Sequence, residues 1–240
     1  MSDRERVIKA VRAAFEREPR INLHKYPIEV EFAGGVLTLE GEAEHIAAKK
    51  LCMELAAAMS GVTGIVDRLR VAPSTRMGDG AILDAVRDAL LQEPTLQNCA
   101  IKVKRKGRFE TMRETNVKPG GVIQVSVDNG VVLLDDHVTS LTQKRMAGVL
   151  AWWVPGTRDV INGMAVEPPQ EDSDEELAKA IRLALKKDPF VNVDRIRVTA
   201  ERGTVTLEGS VPMPTQKEMA EFDAWYVFGV DKVVNKIEVR

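Results

Sequence analysis

Cysteine, histidine and aromatic residues are scarce in this chain of 240 residues, which holds two cysteines, three histidines and only 5% Phe, Trp and Tyr. Cys52 and Cys99 cannot make a disulfide framework, and neither belongs to a Cys-x-x-Cys pair, so both read as small buried apolar residues. No apolar run approaches the span of a bilayer, which excludes an integral helical membrane protein. Nor is there an excess of one charge: the total is −2, divided as +1 for residues 1–76, 0 for 77–170 and −3 for 171–240. Nucleic acid is therefore disfavoured as a partner, and no RNA-binding or helix-turn-helix motif argues otherwise. The chain also lacks a Gly-x-Ser-x-Gly elbow, a phosphate-cradling loop and a His-Glu-x-x-His pair. The expectation is a non-enzymatic protein with no cofactor, no metal and no catalytic residue. His24, His45 and His137 lie at unrelated places, and Asp128, Asp135 and Asp136 near His137 are expected to be solvated rather than metal ligands. The start, Met1-Ser2-Asp3-Arg4-Glu5-Arg6-Val7, mixes acids with bases and runs into a helical pattern, so the expected location is cytoplasmic, peripheral at most to the inner membrane.

What the chain has is a repeat. Gly203-Thr204-Val205-Thr206-Leu207-Glu208-Gly209 returns as Gly35-Val36-Leu37-Thr38-Leu39-Glu40-Gly41 and as Gly130-Val131-Val132-Leu133-Leu134-Asp135-Asp136. Twenty-six positions after each opening glycine stands another, Gly61, Gly156 or Gly229, and six further on stands Asp67, Asn162 or Asn235. One supersecondary unit used three times is the direct reading. The units span 1–73, 79–167 and 173–240, joined by short linkers at Pro73 to Gly80 and Pro168 to Asp172.

Each unit opens on a helix that stops at an acid-proline pair, Glu18-Pro19, Glu93-Pro94 or Asp188-Pro189. Val7, Val11 and Phe15, then Ile82, Val86 and Leu90, then Leu177, Ile181 and Leu185 form the four-residue stripe of an amphipathic helix. A hairpin follows. Ile28, Val30 and Phe32 alternate with acids, and Ile196, Val198 and Ala200 alternate with Arg197 and Thr199, the pattern of half-buried strands. Gly35, Gly130 and Gly203 sit in its two-residue turns, where a positive φ is wanted. A second helix enters through Ser140-Leu141-Thr142-Gln143 or Thr215-Gln216-Lys217-Glu218, both with capping-box spacing, and ends near the second glycine. A third strand carries Leu69 and Val71, Met164 and Val166, or Ile237 and Val239 inward. The fold class is α+β: three tandem αββαβ units, each a three-stranded sheet with two helices on one face.

That order, the glycine spacing and the Gly-Val-x-x-Val-x-Asn ending resemble the BON domain, the bacterial osmotically inducible and nodulation-type module, in three tandem copies. Copies one and three match best; the middle copy has Asp136 where the others have glycine, and Thr157 where valine follows Gly61 and Gly229. The resemblance implies a non-enzymatic module, often associated with phospholipid surfaces and envelope maintenance under osmotic stress, and in some relatives with small-ion binding.

Two features set the middle unit apart. From proline to first strand it spends 29 residues where the other copies spend 9 and 7. The insertion, about 100–121, carries Lys102, Lys104, Arg105, Lys106, Arg108, Arg113 and Lys118 against Glu110 and Glu114, with Phe109 and Met112 as apolar tips. Alternation over Ile101 to Lys104 predicts an extra strand or hairpin. It reads either as a basic contact for anionic headgroups or an acidic partner, or as a solvated hairpin. The second feature is the sheet face turned away from the helices. Copy one shows Glu29, Glu31, Arg68 and Arg70 there, and copy three shows Arg197, Lys236 and Glu238. The middle copy shows Gln124, Ser126, Val131, Leu133, Gly163 and Ala165 without a charge, which predicts that Val131, Leu133 and Ala165 are covered by another repeat, the insertion or a second chain. Trp152-Trp153 aligns with Trp225-Tyr226, and one ring of each pair is expected between repeats.

The leading functional expectation is an adaptor that docks on an anionic phospholipid surface or an envelope-linked protein through Lys102 to Lys118. Beside it stand a small-ligand or ion sensor using clefts between repeats, and a structural scaffold that self-associates through the middle sheet.

Overall fold

The computed structural model describes residues 2–240, which gather into two compact units, one ending at Ala72 and one running from Pro73 to Arg240. The first unit is the simplest copy. Helix α1 (Asp3–Arg17) begins in a capping box, with the Ser2 side chain accepting from the Glu5 amide and the Glu5 carboxylate accepting from the Ser2 amide. It buries Val7, Val11 and Phe15. Strands β1 (Ile28–Ala33) and β2 (Val36–Ala43) pair antiparallel; α2 (Ile46–Ala57) then crosses over and β3 (Gly64–Val71) lies parallel to β2. Alternation dictates the layers. Ile28, Val30, Phe32, Leu37 and Leu39 point to the helices and are buried, while Glu29 and Glu31 face water. Cys52 lies in this core as a free thiol whose titration burial pushes up to about 12, so it behaves as a small hydrophobe.

The second unit holds two copies. The third repeat follows the first closely: α5 (Asp174–Lys187), β10 (Ile196–Glu201), β11 (Thr204–Val211), α6 (Pro214–Tyr226) and β12 (Lys232–Val239), with sheet order β10-β11-β12. Between them and the first unit run α3 (Asp79–Gln92), β4 (Cys99–Arg105), β5 (Arg108–Arg113), β6 (Gly121–Asp128), β7 (Val131–Val138), α4 (Leu141–Trp152), β8 (Asp159–Asn162) and β9 (Ala165–Val166). The insertion is thus a β4–β5 hairpin, and its first strand lies parallel to β6, which makes a six-stranded sheet in place of three. Cys99, Ile101 and Val103 enter the core completely. The expected third strand is broken into β8 and β9, both alongside β7.

The second and third repeats meet through their helices. α4 buries Met146, Ala147, Val149, Leu150 and Ala151 and also Gln143 and Arg145, so it is covered all round, as a helix between two layers must be. The Arg145 guanidinium donates to the Phe228 carbonyl at 3.0 Å and pairs with Asp172 at 2.6 Å. Lys187 reaches Glu93 at 2.9 Å, Trp152 stacks on Tyr226 with centroids 5.4 Å apart, and the Lys144 ammonium lies over the Phe228 ring.

Two local expectations change, and two glycine positions gain a reason. α6 starts at Pro214 with Met213 as its N-cap, because proline already suits the first helical position, so Thr215 is not the cap. Val239 is 44% exposed. Gly156 lies in the turn after α4 and is also buried against Met77 and Ile82, where a Cβ would fall 2.6 Å from Met77 Cβ. Gly41 and Gly209, both at φ +141°, lie under the carbonyls of Pro27 and Arg195, where a Cβ would clash; in the middle copy the chain ahead of Ile123 continues as strand beside β4, and Asp136 fits with φ +81°.

The repeated Asp/Asn closes each unit. Asn235 Nδ2 donates to the Lys217 carbonyl at 2.9 Å and to Glu221, while its Oδ1 accepts from the Ile237 amide at 3.1 Å. Asn162 repeats the donor half, to the Lys144 carbonyl. Asp67 cannot donate, and there Lys49 turns inward to meet Asp67 at 3.0 Å and the Leu69 carbonyl at 2.9 Å. The position ties the crossover helix to the third strand. Asn235→Ala should therefore lower the stability of the second unit by about 1–3 kcal/mol, read by urea unfolding; an unchanged midpoint would remove Asn235 from this role.

Candidate functional site

The hairpin that the insertion forms is amphipathic across its thickness, and strand register decides which residues share a face. Lys104 lies opposite Phe109 and Lys102 opposite Thr111, whereas Val103 lies opposite Glu110 and Ile101 opposite Arg113. Ile101 and Val103 are core, so Lys102, Lys104 and Phe109 belong to the outer face. That face continues across the sheet. Val103 aligns with Val125, which puts Lys104 beside Ser126; Ser126 aligns with Leu133, and Leu133 with Ile161. One row therefore crosses five strands as Phe109, Lys104, Ser126, Leu133 and Ile161. Phe109 is 47% exposed, Leu133 36% and Ile161 50%.

The structure divides the sequence-predicted basic residues. Lys102, Lys104, Lys106 and Arg108 lie in or beside the hairpin tip, and among the described residues none of them meets a carboxylate. Arg105, on the helix side, is bound by Asp84 and so is not a free cation. Arg113 is a structural residue. Its guanidinium donates to the carbonyls of Cys99 at 3.0 Å, Leu91 at 3.1 Å and Leu96, satisfying one group at the end of α3, one in the turn after it and one at the start of β4. Lys118 stands at the base of the hairpin, beyond Arg113, roughly 20 Å from the tip at about 3.3 Å per strand residue. Met112 packs against the core and is no tip.

The packing face also changes. Lys102 and Lys104 lie on it because β4 joins β6, and Asp135 lies on it because β7 runs on to Val138, so the face is charged as well as apolar. Of the three residues expected to be covered, Val131 is half-buried beside Asp159, Leu133 lies open in the central row, and Ala165 is exposed beside His137 at the other end. Ile161 was not foreseen; its place opposite Leu133 follows only once the third strand's register is known. His137 Nδ1 lies 2.7 Å from Asp136 and Nε2 3.2 Å from the Gly120 carbonyl, and the Asp136 contact raises its titration above the usual imidazole range. Among the described residues no three His, Cys, Asp or Glu side chains converge in a metal-binding group. No helix among them is long and apolar enough to cross a membrane.

The geometry of three such units, each a hairpin, a crossover helix and a parallel third strand, is matched by one family model, the BON domain, over residues 3–73, 110–168 and 173–240. The chain belongs to the BON domain family. In the middle repeat the BON match begins at residue 110, within β5, so α3 and β4 lie outside it. Among curated proteins none matches the chain. Among solved structures, the C-terminal domain of CdsD, the structural protein of the type III secretion system of Chlamydia trachomatis, is similar over all of both chains at 14% identity with a TM-score of 0.25. A second CdsD structure is similar over 98% of this chain and 92% of its own, at 13% identity and a TM-score of 0.25.

The division of the basic residues is testable by stability alone. Arg113→Ala should destabilise the second unit by about 2–4 kcal/mol, because three carbonyls lose a charged donor, while Lys104→Ser should change it by less than about 0.5 kcal/mol. Equal effects in denaturant unfolding would contradict the assignment.

Proposed function

We propose that this protein is a non-enzymatic binding module whose middle repeat docks on an anionic phospholipid surface. The observation that carries this reading is the row of Phe109, Lys104, Leu133 and Ile161 on one open sheet face, with Lys102, Lys106 and Arg108 beside it. Apolar side chains that stay open while cations flank them suit the boundary between headgroups and acyl chains, where both kinds of group gain. A solvated hairpin has no use for the aligned apolar residues on β7 and β8. Membership of the BON family supports the same class of partner.

Each basic side chain near an anionic surface contributes about 1 kcal/mol, about fivefold in binding. Co-sedimentation with vesicles of phosphatidylglycerol and phosphatidylcholine should therefore bind the chain at low salt, with binding weakened at high salt. Lys104→Ser with Lys106→Ser and Arg108→Ser should reduce it at least a hundredfold, and Phe109→Ser with Ile161→Ser should reduce it at any salt. Vesicles of phosphatidylcholine alone should not bind. Absence of anionic binding, or binding that survives the triple substitution, would overturn the reading; a concentration-dependent mass abolished by Leu133→Lys would favour self-association on the same face.

A further inference from the structure

Asp223 occupies a repeat position where the other two copies carry leucine. Counted twenty residues from the first turn glycine, it is equivalent to Leu55 and Leu150. It is buried as deeply as those leucines would require, at 3% exposure, yet it is a carboxyl group. Three helix ends converge on it. From α4 the Trp153 indole donates to its Oδ1 at 2.9 Å. From the end of α5 the carboxyl of Asp188, itself 8% exposed, comes within hydrogen-bonding reach. On α6 itself Tyr226 follows one turn later, stacked on Trp152, its phenol pushed up by burial and then by Asp223.

No cation answers this charge. The neighbouring Lys187 is spent on Glu93, Arg145 is spent on Asp172 and the Phe228 carbonyl, and among the described residues no ammonium or guanidinium pairs with Asp223. Asp223 Oδ2 is buried without a hydrogen-bond donor. Two carboxylates that face each other offer only acceptors; one of them must carry a proton before a bond can form between them. Asp188 Oδ1 already accepts from the Phe190 amide at 2.8 Å, while Asp223 Oδ2 has no donor at all, so the proton belongs on Asp223.

We infer that the junction of the second and third BON repeats is a proton-operated clamp, in which Asp223 holds a proton while α4, α5 and α6 are docked, donates it to Asp188, and loosens the junction when that proton leaves. Burial, with the Asp188 charge adding to it against the Trp153 bond, raises Asp223 to about 8. When the junction opens, the carboxyl regains an ordinary value near ~4. The closed form binds the extra proton between those limits, so its stability falls as pH rises from about 4 to about 8 and levels off above. Trp152, Trp153 and Tyr226 are the side chains that opening would expose.

The direct test is a carboxyl-carbon NMR titration of Asp223 in the full chain, with the signal assigned by its absence in Asp223→Asn. A midpoint near 8 is expected, moving downward in Asp188→Asn; a midpoint near 4 would overturn the inference. In parallel, the folding equilibrium constant of the second unit, read by urea unfolding, should fall about tenfold for each pH unit between 5 and 7 and less steeply up to 8, with a matching change in tryptophan fluorescence. Asp223→Asn keeps an acceptor for Trp153 and has no proton to lose, so both dependences should flatten. If they persist in that variant, the clamp is wrong; if the variant fails to fold, the Asp223 signal is assigned through its own backbone resonances and the titration of the unaltered chain decides alone.

Discussion

The second unit depends on α4 being covered on both sides. Leu150, Met146 and Ala151 close the core of the middle sheet, while Arg145 and Trp153 reach into the third repeat. In the first repeat the polar positions of α1 face water. Covering the back of α4 joins two repeats into one body and imposes a cost. Any polar group at the junction must find a partner there, because water no longer reaches it. Arg145 finds one in Asp172 and a carbonyl, and Glu93 finds one in Lys187. Asp223 finds only half of what a charged carboxylate needs, which is why a proton is the simplest remaining partner.

The outer sheet face of the middle repeat stays open, and the insertion enlarges it. Strands lie about 4.8 Å apart, so adding β4 and β5 widens the face by roughly 10 Å. The added strands also change its chemistry, since β4 brings Lys102 and Lys104 to a surface on which β7 and β8 offer Leu133 and Ile161. The insertion achieves this without a separate core, because Ile101 and Val103 extend the existing one. A strand buried parallel to β6 is held firmly, and the hairpin tip is carried on it.

Much of the fold was legible in the residues because it is periodic. Val7, Val11 and Phe15 repeat every four positions, and Ile28, Val30 and Phe32 every two, and the same patterns recur in three copies, so each supports the others. The site was legible only in part. The charges of the insertion were visible, but their faces were not: whether Arg105 or Lys104 points outward depends on a register set by pairing with β6, and nothing local to Lys104-Arg105 states it. Arg113 looked like one more cation because its three carbonyl partners lie in a helix end, a turn and the start of β4, which share no spacing with it. The outer face looked uncharged because its neighbours in space, β4 and Asp135, were not counted as neighbours.

Asp223 is the instructive omission, since the signal was present. Aligning the copies sets it against Leu55 and Leu150, and a carboxylate at a core position of a repeat is either misaligned or doing something the other copies do not do. Composition hides it, because Asp223 is one of fourteen acids in residues 171–240. Only the structure separates an acid that is solvated, such as Glu218, from one that is enclosed by Trp153 and Asp188. A leucine there would bind the two repeats more simply, through apolar contact at every pH. An aspartate makes the same contact conditional on a proton, and the difference between those two residues is the difference between a fixed junction and one that responds to its surroundings.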